Sequence, residues 1–248
     1  MPLPGSTTTL ARSVNVDRAS LAGAIGAVRE RIAAAARRSG RDSAAITLIG
    51  AVKTVPPERI RVAVEAGLTD LGENRIQEAE LAIDAVGRRM ARWHMIGHLQ
   101  RNKASRAVER FDRIHGVDDE ELARALSRRA ESLELRLPVL IQVNISNEGS
   151  KFGVTPEAAS RLVECVASLK GLALDGLTSI GAPVARPEDA RGAFARTREV
   201  RDRAERETGV VLRELSMGMS DDFEIAVEEG STMVRVGTAL FGERLRNE

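Results

Sequence analysis

The chain of 248 residues contains no tyrosine, one tryptophan and five phenylalanines, so that aromatic side chains make up only 2% of it. Without tyrosine, acid and base chemistry that relies on a phenol is excluded. A single cysteine, Cys165, rules out an internal disulfide and points to a reducing compartment. It lies in the apolar helical pattern Arg161-Leu-Val-Glu-Cys-Val-Ala, where a small core residue is expected rather than a nucleophile. Neither sign of charge is in excess: 37 Lys and Arg stand against 36 Asp and Glu, which leaves no net field to draw nucleic acid or an anionic membrane. No apolar run approaches the length of a membrane span, and residues 1–15 lack the apolar stretch of a signal peptide. These absences predict a cytoplasmic protein with neither nucleic acid nor membrane as a partner.

What the chain does have is alternation. At 43% hydrophobic content it can bury a large core. Residues 1–15 read as a flexible lead. Residues 16–38, with Leu21, Ile25, Val28 and Ile32 three and four apart, predict an amphipathic helix ended by Gly40. Apolar runs of strand length then recur at 46–53, 69–73, 92–98, 113–117, 137–146, 172–180, 210–216 and 232–236. Helical segments fall between them, at 57–66, 75–86, 118–131, 156–169, 187–208 and 221–229. Strand alternating with helix about eight times predicts a single (β/α)8 TIM barrel spanning 16–248 with an extra N-terminal helix; a doubly wound open sheet is the competing architecture, because periodicity does not show closure.

In such a barrel the chemistry sits at the C-terminal ends of the strands. The first strand runs out at Lys53, expected at its last position and on the side of Thr47, Ile49 and Ala51. A partly desolvated lysine there can attack a carbonyl as the free amine; a solvated surface lysine is the plain alternative. The second strand runs into Gly72-Glu73-Asn74-Arg75. On the fifth, Leu140, Gln142, Asn144 and Ser146 share a face that turns polar toward the exit.

The seventh strand leads into Ser216-Met217-Gly218-Met219-Ser220, with Ser220 placed as the cap of the next helix, and the eighth into Gly237-Thr238. Loops after strands seven and eight are the recurrent phosphate site of these barrels. Arg235, between Val234 and Val236, is directed inward with Met233 and must meet an anion or a strong acceptor; an internal ion pair with a carboxylate such as Glu73 competes with a ligand for that place. His94 and His98, on one strand, would stand about 13 Å apart at ~3.3 Å per residue, too far to share a metal, and His115 reads as isolated. No metal is expected.

These residues together resemble the pyridoxal phosphate homeostasis proteins, which share the barrel of fold-type III enzymes such as alanine racemase. The resemblance runs over residues 16–245 and rests on Ala-Val-Lys53-Thr, Gly72-Glu-Asn-Arg-Ile-Gln-Glu78, Trp93-His-Met-Ile-Gly-His-Leu-Gln-Arg-Asn-Lys103, Gln142-Val-Asn-Ile-Ser146 with Ser150-Lys151-Phe-Gly153, Leu215-Ser-Met-Gly-Met-Ser-Asp221 and Gly230-Ser-Thr-Met-Val-Arg-Val-Gly-Thr-Ala-Leu-Phe-Gly242. Thr178 departs from it, standing where methionine is expected. The resemblance implies that Lys53 holds pyridoxal 5′-phosphate as a Schiff base. It further implies that Ser216, Gly237 and Thr238 hold the phosphate, that Asn74 and Met217 belong to the cofactor site, and that Arg235 faces the pyridine nitrogen. A cation there opposes protonation of that nitrogen and weakens the ring as an electron sink. Lys151 is a further candidate contact.

Racemisation in alanine racemase uses a tyrosine as second base, contributed with a C-terminal domain and a partner subunit; this chain has neither the tyrosine nor residues for that domain. The expectation is therefore a monomeric, non-catalytic carrier that buffers the cofactor and passes it to apo-enzymes. A pyridoxal phosphate enzyme acting on amino acids, racemase-like, and a cofactor-free Schiff-base enzyme are the alternatives.

Overall fold

The computed structural model describes residues 6–146, 152–181 and 184–242, with side chains described from residue 18 onward. Helix α1 (Ser6–Arg38) begins ahead of the predicted start at residue 16. Its Leu21, Ile25, Val28 and Ile32 are buried, as the three-and-four spacing requires, and Gly40 ends the run with φ +67°.

Eight strands follow: β1 (Thr47–Ala51), β2 (Asp70–Glu73), β3 (Arg92–Met95), β4 (Arg113–Val117), β5 (Leu137–Val143), β6 (Leu172–Ser179), β7 (Glu214–Ser216) and β8 (Met233–Val236). Each lies within its predicted run. They pair in parallel and in chain order, and β8 returns to β1, with Thr47 opposite Met233 and Ile49 opposite Arg235, so the sheet is closed. Closure decides against the open doubly wound sheet.

The helices between them are α2 (Pro57–Glu65), α3 (Ile76–Val86), α4 (Ala104–Arg110), α5 (Glu120–Ser132), α6 (Ala159–Ala167), α7 (Arg191–Thr208), α8 (Phe223–Glu228) and α9 (Thr238–Phe241). Pro57 opens α2 where a missing N–H costs nothing, and Asp119 caps α5 by accepting from Leu122 N at 2.7 Å. Helix α1 packs against α2, α8 and α9, outside the seam where β8 meets β1. Arg31 and Arg38 on α1 bind Glu224 and Glu228 on α8.

Strand alternation separates two kinds of core. Leu71, Trp93, Ile141, Leu215 and Val234 face the helices within one continuous apolar cluster. Inside the barrel the apolar contribution is a small separate cluster of Ile49, Leu140 and Met233. Polar side chains share the interior with it, among them Asp70, His94, His115, Ser216 and Arg235, all buried.

Candidate functional site

Strand β1 ends at Ala51, so Lys53 is not its last residue but lies two positions on, in the turn toward α2. The turn is tight: Thr54 has φ +64°, a left-handed conformation that a β-branched residue adopts only under constraint from its surroundings. Lys53 is half-buried, and its ammonium has no hydrogen bond or ion pair among the described residues. Its charge acts on the carboxyl of Glu73, at the end of β2. Burial, reinforced by Glu78, pushes the Glu73 carboxyl up to about 7, with the backbone of Asn74 and the charge of Lys53 pulling the other way. Asn74 itself is half-buried beside Glu73, its backbone closely covered by Gly97, where an added Cβ would come within 2.4 Å of the Asn74 carbonyl oxygen.

The loop after β8 leaves the barrel next to that turn. Gly50 is paired with Val236, and a Cβ at Gly237 would stand 3.4 Å from the Ala51 carbonyl oxygen. Gly237 N–H and Ala239 N–H both donate to Ser220 Oγ, each at 3.2 Å. Ser220 is thus not the helix cap expected of it: α8 begins three residues later, at Phe223, and the hydroxyl reaches across to the β8 loop instead. Thr238 is exposed at the same rim. Two N–H groups held by a neutral hydroxyl at the long end of the N–H···O range are donors that an anion can take over.

Arg235 is 6% exposed and points inward, as its place on the strand predicts. Its partner is not Glu73. Nη1 donates to Ser216 O at 2.6 Å, Ser216 Oγ at 2.7 Å and Thr178 Oγ1 at 3.1 Å, and Nη2 to Ser179 O at 2.9 Å. Thr178, the departure from the family pattern, is thereby one of its supports. Burial pulls the guanidinium down to about 10, a loss partly offset by Asp222. No carboxylate forms an ion pair with it among the described residues, and Nε–H has no acceptor there. A buried cation with Nε–H and one Nη2–H unused among the described residues suits a neutral acceptor such as a ring nitrogen.

Two expected contacts are placed differently. The Met217 side chain lies fully buried in the helix-side cluster, and its N–H is used by Met233 O at 3.1 Å, because alternation from Leu215 carries it outward. The Ser216 hydroxyl is fully buried between Arg235 and His115 Nδ1, 3.0 Å away, and does not reach the rim where Gly237 and Thr238 stand. Gly218, between these residues and Ser220, has φ +92°; a Cβ there would collide with Ala226 Cβ at 2.5 Å, so only glycine lets the loop lie on α8. Lys151 falls outside the described residues.

His115 is not isolated: its Nε2 meets His94 Nδ1 at 3.0 Å. His98 lies beyond the end of β3 rather than on it, stacked on Phe152 with ring centroids 3.6 Å apart and paired with Asp118 at 3.4 Å. No cluster of three or more metal-ligating side chains occurs among the described residues.

The family described as alanine racemase, N-terminal domain matches residues 24–245. A pyridoxal phosphate homeostasis protein of Aquifex aeolicus is 44% identical over 217 residues, covering 88% of this chain and 95% of that one. The chain belongs to the pyridoxal phosphate homeostasis protein family. The homologue so named from Escherichia coli K12 is 41% identical over 226 residues, covering 88% of this chain and 94% of its own length. Among solved structures, PipY of Synechococcus elongatus PCC7942 with PLP bound superposes with a TM-score of 0.76 at 34% identity, over 87% of this chain and all of that one. An alanine racemase of Clostridium difficile, at 16% identity and a TM-score of 0.70 over 92% of this chain and 58% of its own, shares the fold. No described helix is long and apolar enough to cross a membrane.

Proposed function

We propose that this chain binds pyridoxal 5′-phosphate at the mouth of the barrel and serves intracellular homeostasis of that cofactor as a carrier rather than a racemase. Lys53 would hold the aldehyde end of the cofactor and the loop after β8 its phosphate ester; the bound cofactor would supply an aldehyde able to form a reversible imine with an amine, with release of one water. Lys53 is suited to the first because the residue is half-buried at the mouth and its side-chain nitrogen is tied up by no hydrogen bond or ion pair among the described residues. Gly237 and Ala239 are suited to the second through N–H groups now resting on Ser220 Oγ, with the Thr238 hydroxyl exposed beside them and Asn74 on the neighbouring loop.

One observation carries the reading of carrier over enzyme: Arg235, buried and without a carboxylate partner among the described residues, stands on β8 beside β1, the strand whose exit turn carries Lys53. A fixed cation keeps a ring nitrogen unprotonated and so withholds the electron sink that amino-acid chemistry draws on. The absence of tyrosine removes the phenol base of alanine racemase as well. The same reading has the protein act as a cytoplasmic monomer that releases its cofactor to apo-enzymes.

The purified protein is expected to be yellow with an imine absorption band, to lose that band in Lys53→Ala, and to retain the cofactor covalently on the peptide containing Lys53 after borohydride reduction. Colour retained in Lys53→Ala refutes the anchor. Enzymatic exchange of the α-proton of any amino acid refutes the carrier and makes the chain an amino-acid enzyme.

A further inference from the structure

Through the middle of the barrel runs a line of side chains that ends on Arg235 and whose other members binding at the mouth leaves unused. Arg92, at the start of β3 and largely exposed, donates from Nε and Nη2 to Asp70 at 2.8 and 2.7 Å, and Thr69 Oγ1 donates to the same carboxylate at 2.8 Å. Asp70 Oδ1 meets His94 Nε2 at 3.0 Å, His94 Nδ1 meets His115 Nε2 at 3.0 Å, and His115 Nδ1 meets Ser216 Oγ at 3.0 Å. Arg235 Nη1 closes the line on Ser216 Oγ at 2.7 Å. The five residues from Asp70 to Arg235 come from β2, β3, β4, β7 and β8, and none is more than 6% exposed.

The two ends, together with the number of hydrogens on the rings, set the direction of the bonds between them. Burial pushes the Asp70 carboxyl up, but hydrogen bonds from His94, Arg92 and Thr69 more than offset it and hold it ionised. An ionised carboxylate only accepts, so His94 carries a hydrogen on Nε2. At the other end a guanidinium only donates, so Ser216 Oγ accepts from Arg235. Burial, with His94, Arg235 and Arg113 beside it, holds His115 well below the ordinary imidazole value and therefore neutral, with a single N–H. If that hydrogen sat on Nδ1, His94 would have to be doubly protonated to fill the other bond. With one hydrogen on each ring, the state that alkaline pH imposes, Ser216 gives its hydrogen to His115 Nδ1, and His115 gives the hydrogen on Nε2 to His94 Nδ1. All donors then point from Arg235 toward Asp70, and no lone pair faces another.

We propose that Asp70, His94 and His115 are positioning residues for the cofactor site: by taking the hydrogen of Ser216, they leave Oγ as an acceptor that fixes the Arg235 guanidinium, and through it the ring end of the cofactor. This rests on the reading of the Lys53 and Arg235 pocket given above. A barrel that merely satisfies its buried polar groups makes a different demand, since then each side chain affects stability without affecting the ring.

The test has one arm that needs no cofactor. Nitrogen-15 NMR of the histidines in the ligand-free protein at alkaline pH is expected to show His94 and His115 both as Nε2–H tautomers, with the His115 signals moved in Ser216→Ala. A hydrogen on His115 Nδ1 overturns the chain whether or not the cofactor reading holds. The second arm measures pyridoxal 5′-phosphate affinity and the imine absorption maximum. His94→Leu is expected to weaken binding about ten-fold, the size of coupling within one hydrogen-bond network, and His94→Gln to restore it, since its amide supplies one donor for Asp70 and one acceptor for His115. Asp70→Asn is expected to weaken binding in the otherwise unaltered protein and to add nothing in Ser216→Ala. If the unaltered protein does not bind the cofactor, the reading of the pocket fails and the tautomers still decide the chain. If it binds and His94→Leu matches it, or the effects of Asp70→Asn and Ser216→Ala simply add, the positioning role is overturned.

Discussion

The two faces of the sheet are built from the same eight strands and from opposite chemistry. On the helix side Leu71, Trp93, Ile141, Leu215 and Val236 are part of one apolar cluster that runs round the barrel. On the inside, Ile49, Leu140 and Met233 make a small apolar layer, and the rest of the space is shared by side chains that must find hydrogen-bond partners. Burial of the outer face stabilises by roughly 25 cal/mol per Å² of apolar surface and is indifferent to direction. The inner face gains little net energy, because each desolvated group spends its hydrogen bond offsetting its own burial, but those bonds have direction. The outer layer therefore sets how stable the barrel is, and the inner one where a few atoms point.

The sharpest form of this contrast is a truncation outside that leaves the inside untouched. Phe194 on α7 is 2% exposed in the helix-side layer. Phe194→Ala is expected to lower the unfolding free energy by about 3–5 kcal/mol, the usual cost of deleting a buried aromatic side chain. Chemical denaturation measures that loss, and cofactor affinity determined well below the unfolding transition should not change. A changed affinity would mean that the layers are not separable.

The outer layer was the legible one. Runs such as 137–146 and 172–180 announce themselves by apolar content, and alternation assigns their faces, which is why all eight strands and the position of Arg235 could be read. The Leu215 and Met217 pairing was in the same signal, and strict alternation places Met217 under the helices. Helix α4 was not legible because Ala104, Ala107 and Val108 are its only buried residues, too few for a periodic pattern. Gly237 and Thr238 were legible as the exit of a strand and Lys53 only to within two residues of one, whereas the bond from His115 to Ser216 spans 101 residues and crosses the barrel. Spacing along the chain carries no information about which interior side chains meet across a closed sheet.

Acid should attack the inside first. His115 is held neutral by burial and by the groups that face it, His94 from β3 and the cations Arg235 from β8 and Arg113 from its own strand, with Ser216 as its contact on β7. Its folded pKa lies below the unfolded value of about 6.5, so the unfolded chain binds the extra proton first and stability is lost as pH falls below that value, by about 1.4 kcal/mol per unit until the folded group also titrates. Between pH 7 and 5 the loss amounts to roughly 2 kcal/mol. Urea midpoints for the unaltered protein and His115→Gln across that range should converge toward acid. Parallel curves would show that His115 is charged in the folded state, and the inner layer would lose its neutral core.

Glu73 is the exception that the contrast must survive, since alternation puts it with Leu71 on the helix side, yet it is an acid at 2% exposure with Oε2 lacking a partner among the described residues. Its carboxyl is pushed up to about 7, above the unfolded value of 4.5. The folded state therefore holds a proton that the unfolded chain has already released, and stability falls as pH rises from 4.5 through 7, opposite in sign to His115. Glu73→Gln removes a charge that the apolar layer does not accommodate. It is expected to be close to neutral near pH 5 and to stabilise by about 1–2 kcal/mol near pH 8, within the cost of leaving a buried polar group unpaired. Equal effects at the two pH values would mean that Glu73 stays ionised, held so by Lys53, and that the apolar character of the helix side gives way where β2 reaches the mouth.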